Sequence, residues 1–130
     1  MRIITSILLL AFLMNGCKKE ETIENEMEIN ISSPTSEHMP ATGSLVEINA
    51  TITDHDEVHD VTINITSDYS PSPAAIEIFF DHIHNTLFNI DTSFIADIPS
   101  GSMANYTVQI SANDMLGNTS SNSVTFHVMD

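Results

Sequence analysis

Histidine and aspartate carry the chemistry this chain can offer. Of its 6 His, four fall in two short stretches, Asp54-His55-Asp56-Glu57-Val58-His59-Asp60 and Asp81-His82-Ile83-His84. Imidazole nitrogens mixed with carboxylate oxygens form the donor set that Zn²⁺ and Cu²⁺ take. In extended backbone, His82 and His84 leave the same face about 7 Å apart, a spacing that suits two rings on one ion. His59 is the expected third ligand, with His55 or Asp56 closing the set. Protons compete for the same nitrogens, so affinity at such a site should collapse below about pH 6. Catalysis finds no comparable signal. The sequence has no Gly-x-Ser-x-Gly elbow, no His-Glu-x-x-His helix and no phosphate-cradling glycine loop. The expected class is a non-catalytic binding protein.

Elements that could gather these residues are strands. After residue 26 the apolar period is two: Val46, Ile48, Ala50 and Ile52 alternate with polar neighbours, as do Val61, Ile63 and Ile65, and later Tyr106, Val108, Ile110 and Ala112. The full set of expected strands is 27–33, 45–53, 58–67, 74–80, 86–98, 104–113 and 122–129. Turn chemistry falls between them at Ser33-Pro34, Thr42-Gly43, Ser70-Pro71-Ser72-Pro73, Pro99-Ser100-Gly101 and Leu116-Gly117-Asn118. Seven short strands in about 100 residues predict an all-β, antiparallel β-sandwich. If successive strands reverse direction, the ends of 45–53, 74–80 and 104–113 share one pole. His55, His59, His82 and His84 then meet there, while His38 and His127 fall at the other pole.

The charge balance narrows the partners. With 18 Asp and Glu against 3 Lys and Arg, the formal net charge is −15. Nucleic acid is excluded, because phosphate binding needs clustered cations and none follows Lys19. A single cysteine leaves no intramolecular disulfide partner, so burial and sheet hydrogen bonds must hold the fold.

That cysteine has another expected use. Arg2 precedes an apolar run, Ile3 to Met14, too short to span a bilayer and of the size of a secretory signal core. The run ends in Leu13-Met14-Asn15-Gly16-Cys17, which resembles the bacterial lipobox. The resemblance implies that residues 1–16 are removed and that Cys17 is lipidated, with 17–26 as a flexible tether and membrane attachment through the lipid. Lys18-Lys19-Glu20-Glu21 is similar to the export signal of Bacteroidota surface lipoproteins, which implies an outer-membrane protein facing outward.

The segment Asn105-Tyr106-Thr107-Val108-Gln109-Ile110-Ser111-Ala112-Asn113-Asp114-Met115-Leu116-Gly117-Asn118 resembles the penultimate strand and loop of immunoglobulin-like domains in bacterial surface proteins. Val46 to Asp54, followed by Val58 and Val61, is similar to two earlier strands of those domains. The resemblance covers residues 27–130. It implies an immunoglobulin-like, cadherin- or fibronectin-like sandwich, with Tyr106 as a corner tyrosine bonded to upstream backbone. It further implies a module that presents loops to a protein or glycan partner. Cadherin-like modules place carboxylates in these loops for Ca²⁺, which makes Asp54, Asp56 and Asp114 a second candidate cation set. Short carboxylates at such positions also cap turns by accepting backbone N–H bonds.

Overall fold

The computed structural model describes residues 26–71 and 73–130; the signal segment, Cys17 and the tether up to residue 25 lie outside it. Six strands follow one another: β1 (Glu28–Ser33), β2 (Ser44–Ser67), β3 (Ile76–Phe80), β4 (Asn85–Ala96), β5 (Met103–Asp114) and β6 (Thr119–Met129). Every strand pairing is antiparallel. The first half of β2 lies between β1 and β4, its second half lies between β3 and β5, and β6 extends the second group along β5. One long strand therefore belongs to two sheets, β1–β2–β4 and β3–β2–β5–β6. The sheets close on a shared core, because alternate residues of both are apolar and have no other way to leave water. Phe94 of β4 packs across the gap, its ring centroid 5.7 Å from that of Tyr106 and 6.3 Å from that of Phe126. This is an all-β antiparallel β-sandwich.

The sequence pattern separates 45–53 from 58–67, whereas the structure runs them together as β2. The alternation that buries Val46, Ile48, Ala50 and Ile52 continues inward at Asp54 and reaches buried Val58. Its inward letters change from apolar to acidic, so a reading by hydropathy stops two residues early. The bend between sheets sits at Glu57, whose φ of 65° is a left-handed conformation uncommon outside glycine. Pairing with β4 jumps from Thr53 to Val58, and pairing with β5 skips a residue between Val58 and Asp60. After that bulge the inward positions are odd-numbered, Val61, Ile63 and Ile65. The other expected strands appear with their ends moved by a few residues.

Tyr106 has the geometry that the resemblance implies. Its ring is buried between Phe94 and Phe126, and its hydroxyl donates to the Asp97 carbonyl at 3.1 Å. Burial raises its pKa above the ordinary 10.0. Packing and hydroxyl should separate in urea titrations. Phe126→Ala is expected to cost about 3–5 kcal/mol through the cavity it leaves, and Tyr106→Phe about 1 kcal/mol. Equal losses would show that the hydroxyl bond, and not aromatic packing, ties this corner.

Candidate functional site

Antiparallel reversal brings three segments to one pole. β2 passes through it at residues 54–58, β3 enters it and β4 leaves it on either side of residues 81–84, and β5 ends there at Asp114, opposite Val58. The start of β1 is at the same pole, since Glu28 pairs with Thr53. His38, edge-on to Phe126 at 5.9 Å, and His127, whose Nδ1 is 3.1 Å from Asn105 Oδ1, lie at the opposite end.

Backbone bonds pull the histidine segments together. Ile83 N–H donates to the His59 carbonyl and His84 N–H to the Val58 carbonyl, both at 2.9 Å. The rings of His59, His82 and His84 consequently form a triangle, with centroid separations of 5.0, 5.3 and 6.0 Å. The route differs from the sequence expectation. Residues 82 and 84 are not extended: both have φ of 54°, so a turn, and not strand pleating, directs the rings. Left-handed φ at two non-glycine residues costs on the order of 1–3 kcal/mol each and persists only where neighbours enforce it.

Two carboxylates hold two of the rings. His59 Nδ1 is 2.9 Å from Asp60 Oδ2, and His82 Nδ1 is 2.5 Å from Asp81 Oδ1. Asp60 also accepts from the His82 N–H and donates its own N–H to Asn113 Oδ1. Desolvation opposes ionisation of Asp60, but bonds with His59, Asp81 and the His82 backbone, together with the His59 charge, outweigh it and lower its pKa from 3.8 to about 2. Sequence reasoning missed Asp60 and Asp81 as partners of the rings. The signal was present, since each stands next in the chain to a histidine of the cluster. His55 and Asp56 do not join the triangle. His55 is turned outward with its side chain 75% exposed, 3.4 Å from Asp56, and no ring contact links it to the three among the described residues.

Asp56 belongs instead to a second cluster, with Asp54 and Asp114; one carboxylate oxygen of each lies within 4.8 Å of the others. Asp54 ends the inward alternation of β2's first half and Asp114 ends that of β5, so two carboxylates occupy core-facing positions at the mouth of the sandwich, 6% and 3% exposed. Asp114 is fully engaged: its Oδ1 accepts from the N–H groups of Leu116 and Asn118, and its Oδ2 from the Asn118 side chain. Desolvation pushes its pKa up, but these bonds prevail and hold it below 3.8. They also close the turn 114–118, where Gly117 supplies a φ of 87°. Asp54 is different. Its Oδ1 accepts from the Asp56 N–H, while its buried Oδ2 has no hydrogen-bond partner among the described residues. Beside these clusters, Asp60, Ser111, Asn113, Thr119 and Ser121 line a shallow polar depression of about 440 Å³.

No protein-family model matches the chain, and no curated protein does. Among solved structures it is similar to that of murine CRIg, with 11% sequence identity and a TM-score of 0.45 over 78% of this chain and 97% of that one.

The Asp114 bonds have a pH signature. Because its folded pKa is depressed, its contribution is complete above the unfolded value of 3.8 and is lost as pH falls through the lower folded value. The melting temperature should hold steady near neutrality and fall as acid passes that value. Asp114→Ala should lose about 1–3 kcal/mol at neutral pH, and its acid slope should be shallower. A variant with an unchanged slope would place the acid sensitivity elsewhere.

Proposed function

We propose that this chain is a lipid-anchored, non-catalytic immunoglobulin-like binding module of the outer-membrane surface. Its binding end is the pole formed by residues 54–60, 81–84 and 113–118, and Ca²⁺ held by Asp54, Asp56 and Asp114 braces the loops presented there. The observation that carries this reading is the buried, unpartnered Oδ2 of Asp54 beside a second buried carboxylate. An isolated buried carboxylate oxygen forfeits several kcal/mol of hydration, and two such groups facing one another repel as well. A hard cation relieves both. Ca²⁺–oxygen distances of about 2.3–2.6 Å span roughly 4.6–5.2 Å between opposite ligands, which matches oxygens within 4.8 Å of one another. An all-oxygen set favours Ca²⁺ over Zn²⁺ or Cu²⁺. Backbone carbonyls and water would supply the remaining positions. The neighbouring depression, lined by hydroxyls and amides, suits a glycan or a polar protein surface as the partner.

With affinity in the range of extracellular modules, about 10⁻⁴–10⁻³ M, roughly 10 mM Ca²⁺ should add about 1.4–2.7 kcal/mol to stability. The melting temperature of the chain should rise accordingly. Asp56→Asn should abolish the rise, and Na⁺ at matched ionic strength should not reproduce it. A Na⁺ response equal to that of Ca²⁺ would reduce the effect to screening of a −15 charge and remove the calcium reading.

The anchor has its own test. Cys17→Ser should shift the protein from the membrane to the soluble fraction, and protease added to intact cells should digest the wild type. Continued membrane association of the variant would overturn lipid attachment, and protection from protease would overturn surface exposure.

A further inference from the structure

The pole and its carboxylates leave one side of the sandwich unused. β3 and β4 follow each other along the same side of β2, since β3 ends at Phe80 opposite Val61 and β4 begins at Asn85 opposite Val58. That side carries an open edge of each sheet. Among the described residues β4 pairs with β2 alone, so one row of its backbone N–H and C=O groups has no strand beside it. We propose that this free edge of β4 takes up, as an added strand, an extended segment of a partner protein in which basic residues alternate with apolar ones.

The edge is long, regular and unguarded. From Leu87 to Ala96, β4 pairs with β2 without a bulge, and the strand contains no Pro, Gly or Lys. Edge strands are ordinarily kept from pairing by Lys, Pro, bulges, short length or a covering element. The other edges each have such a guard. β1 is 6 residues long, shifts register between Ile31 and Ser33 and runs into Pro34. β3 has only 5 residues. β6 lies against β1, where the Asn122 side chain donates to the Ile29 carbonyl at 2.9 Å.

Side-chain alternation dictates what the added strand must carry. Facing the core, Phe88 and Thr92 are only half-buried, whereas Ile90 and Phe94 are buried. Phe88 meets Phe80 of β3 across the gap between the sheets, with ring centroids 5.3 Å apart. Farther along the same gap lies a cavity of about 230 Å³ lined by Ile65, Ala74, Ile76, Ile95 and Tyr106. Apolar side chains of an added strand would cover the first and enter the second. On the outer face Asp91 is exposed, with exposed Glu47 paired to neighbouring Ser93 and exposed Asp97 just past the strand's end. No Lys or Arg follows Lys19 to balance these carboxylates, so the alternate residues should be basic. Cross-strand neighbours on one face have Cβ atoms about 4.5–5.5 Å apart, within reach of an ion pair. The same charge argues against a second copy of the chain, which would set −15 against −15. Backbone bonds would supply affinity here, and the gap and carboxylates would supply specificity, the division of labour in strand addition.

The probe is a short synthetic peptide of alternating Lys and Val, added to the full chain in nonionic detergent. Calorimetry should register binding, and hydrogen exchange should slow at the β4 amides while those of β6 are unchanged. The same peptide N-methylated at every residue keeps its charge but cannot donate to a sheet, and it should not bind. Neither should a peptide of alternating Glu and Val. Asp91→Lys should weaken binding about tenfold, the scale of exchanging an opposite-charge cross-strand pair for a like-charge one. It should melt close to the wild type, because Asp91 is exposed. Asp56→Asn should leave peptide binding intact, so this edge and the calcium site fail separately. Equal binding of the N-methylated peptide would reduce the contact to net charge, and slowed exchange confined to β1, β6 or the pole would place it elsewhere. Slowed β4 exchange that grows with protein concentration in the absence of peptide would make the occupant a second copy. Each of these results, or no binding of the Lys and Val peptide, overturns the proposal.

Discussion

The structure depends on one strand belonging to two sheets. β2 pairs with β1 and β4 before the bend at Glu57, and with β3 and β5 after it. A chain held without disulfides must close its sandwich by burial alone, and a strand that crosses from one sheet to the other fixes their separation and register together. The crossing also has to place backbone and side chains in the mouth between the sheets, where the apolar core ends. Core-facing positions there cannot be filled indefinitely with Ile and Val, because the mouth is open to water. Asp54 and Asp114 take the last inward positions of β2's first half and of β5. The candidate site is thus a direct product of the topology, and not an addition to it.

Those two carboxylates meet the cost of burial differently. Asp114 collects backbone and side-chain donors from its own turn, a self-contained solution that rigidifies 114–118. Asp54 collects one donor at Oδ1 and none among the described residues at Oδ2. In a chain with 18 acidic and 3 basic side chains, relief by a neighbouring Lys or Arg is scarcely on offer, and none occurs after Lys19. An external cation is the remaining source of positive charge. The histidine triangle solves a related problem in another way. Carboxylates of the adjacent residues Asp60 and Asp81 hold two of its three rings by Nδ1.

Much of this was legible in the sequence where the side-chain period is regular. The inward sets of β2 and β5 follow from alternation alone, and the reversal of successive strands correctly gathers residues 59, 82 and 84 while sending His38 and His127 to the far pole. Legibility failed where the backbone left the regular menu. Nothing in the letters Asp81-His82-Ile83-His84 announces two left-handed residues, because that conformation is imposed by the bonds from Ile83 and His84 to the β2 backbone. The same limit misplaced His55. Counting alternation from Ile52 would have turned it outward and Asp54 inward, yet the change from apolar to acidic letters reads as the start of a loop. A strand that continues its alternation with a charged residue at an inward position departs from the local rule, and such departures concentrate where a protein binds something.

Placement of the first strand adds a geometric consequence. β1 begins beside Thr53, so the described chain enters the domain at the pole that holds both clusters. With a lipid at Cys17, the sites would lie on the side of the domain nearest the membrane, separated from it by at most about 3.3–3.6 Å per tether residue. A binding end so placed is poorly suited to a partner on another cell, which would meet the opposite pole first. It is well suited to ions arriving by diffusion and to partners in the same membrane. Anionic lipid headgroups would be repelled by the acidic pole, which keeps the site clear of the surface, while divalent cations concentrated near such a surface would be drawn to it. Under the proposed anchoring, cluster chemistry and net charge would both favour cation capture at that pole.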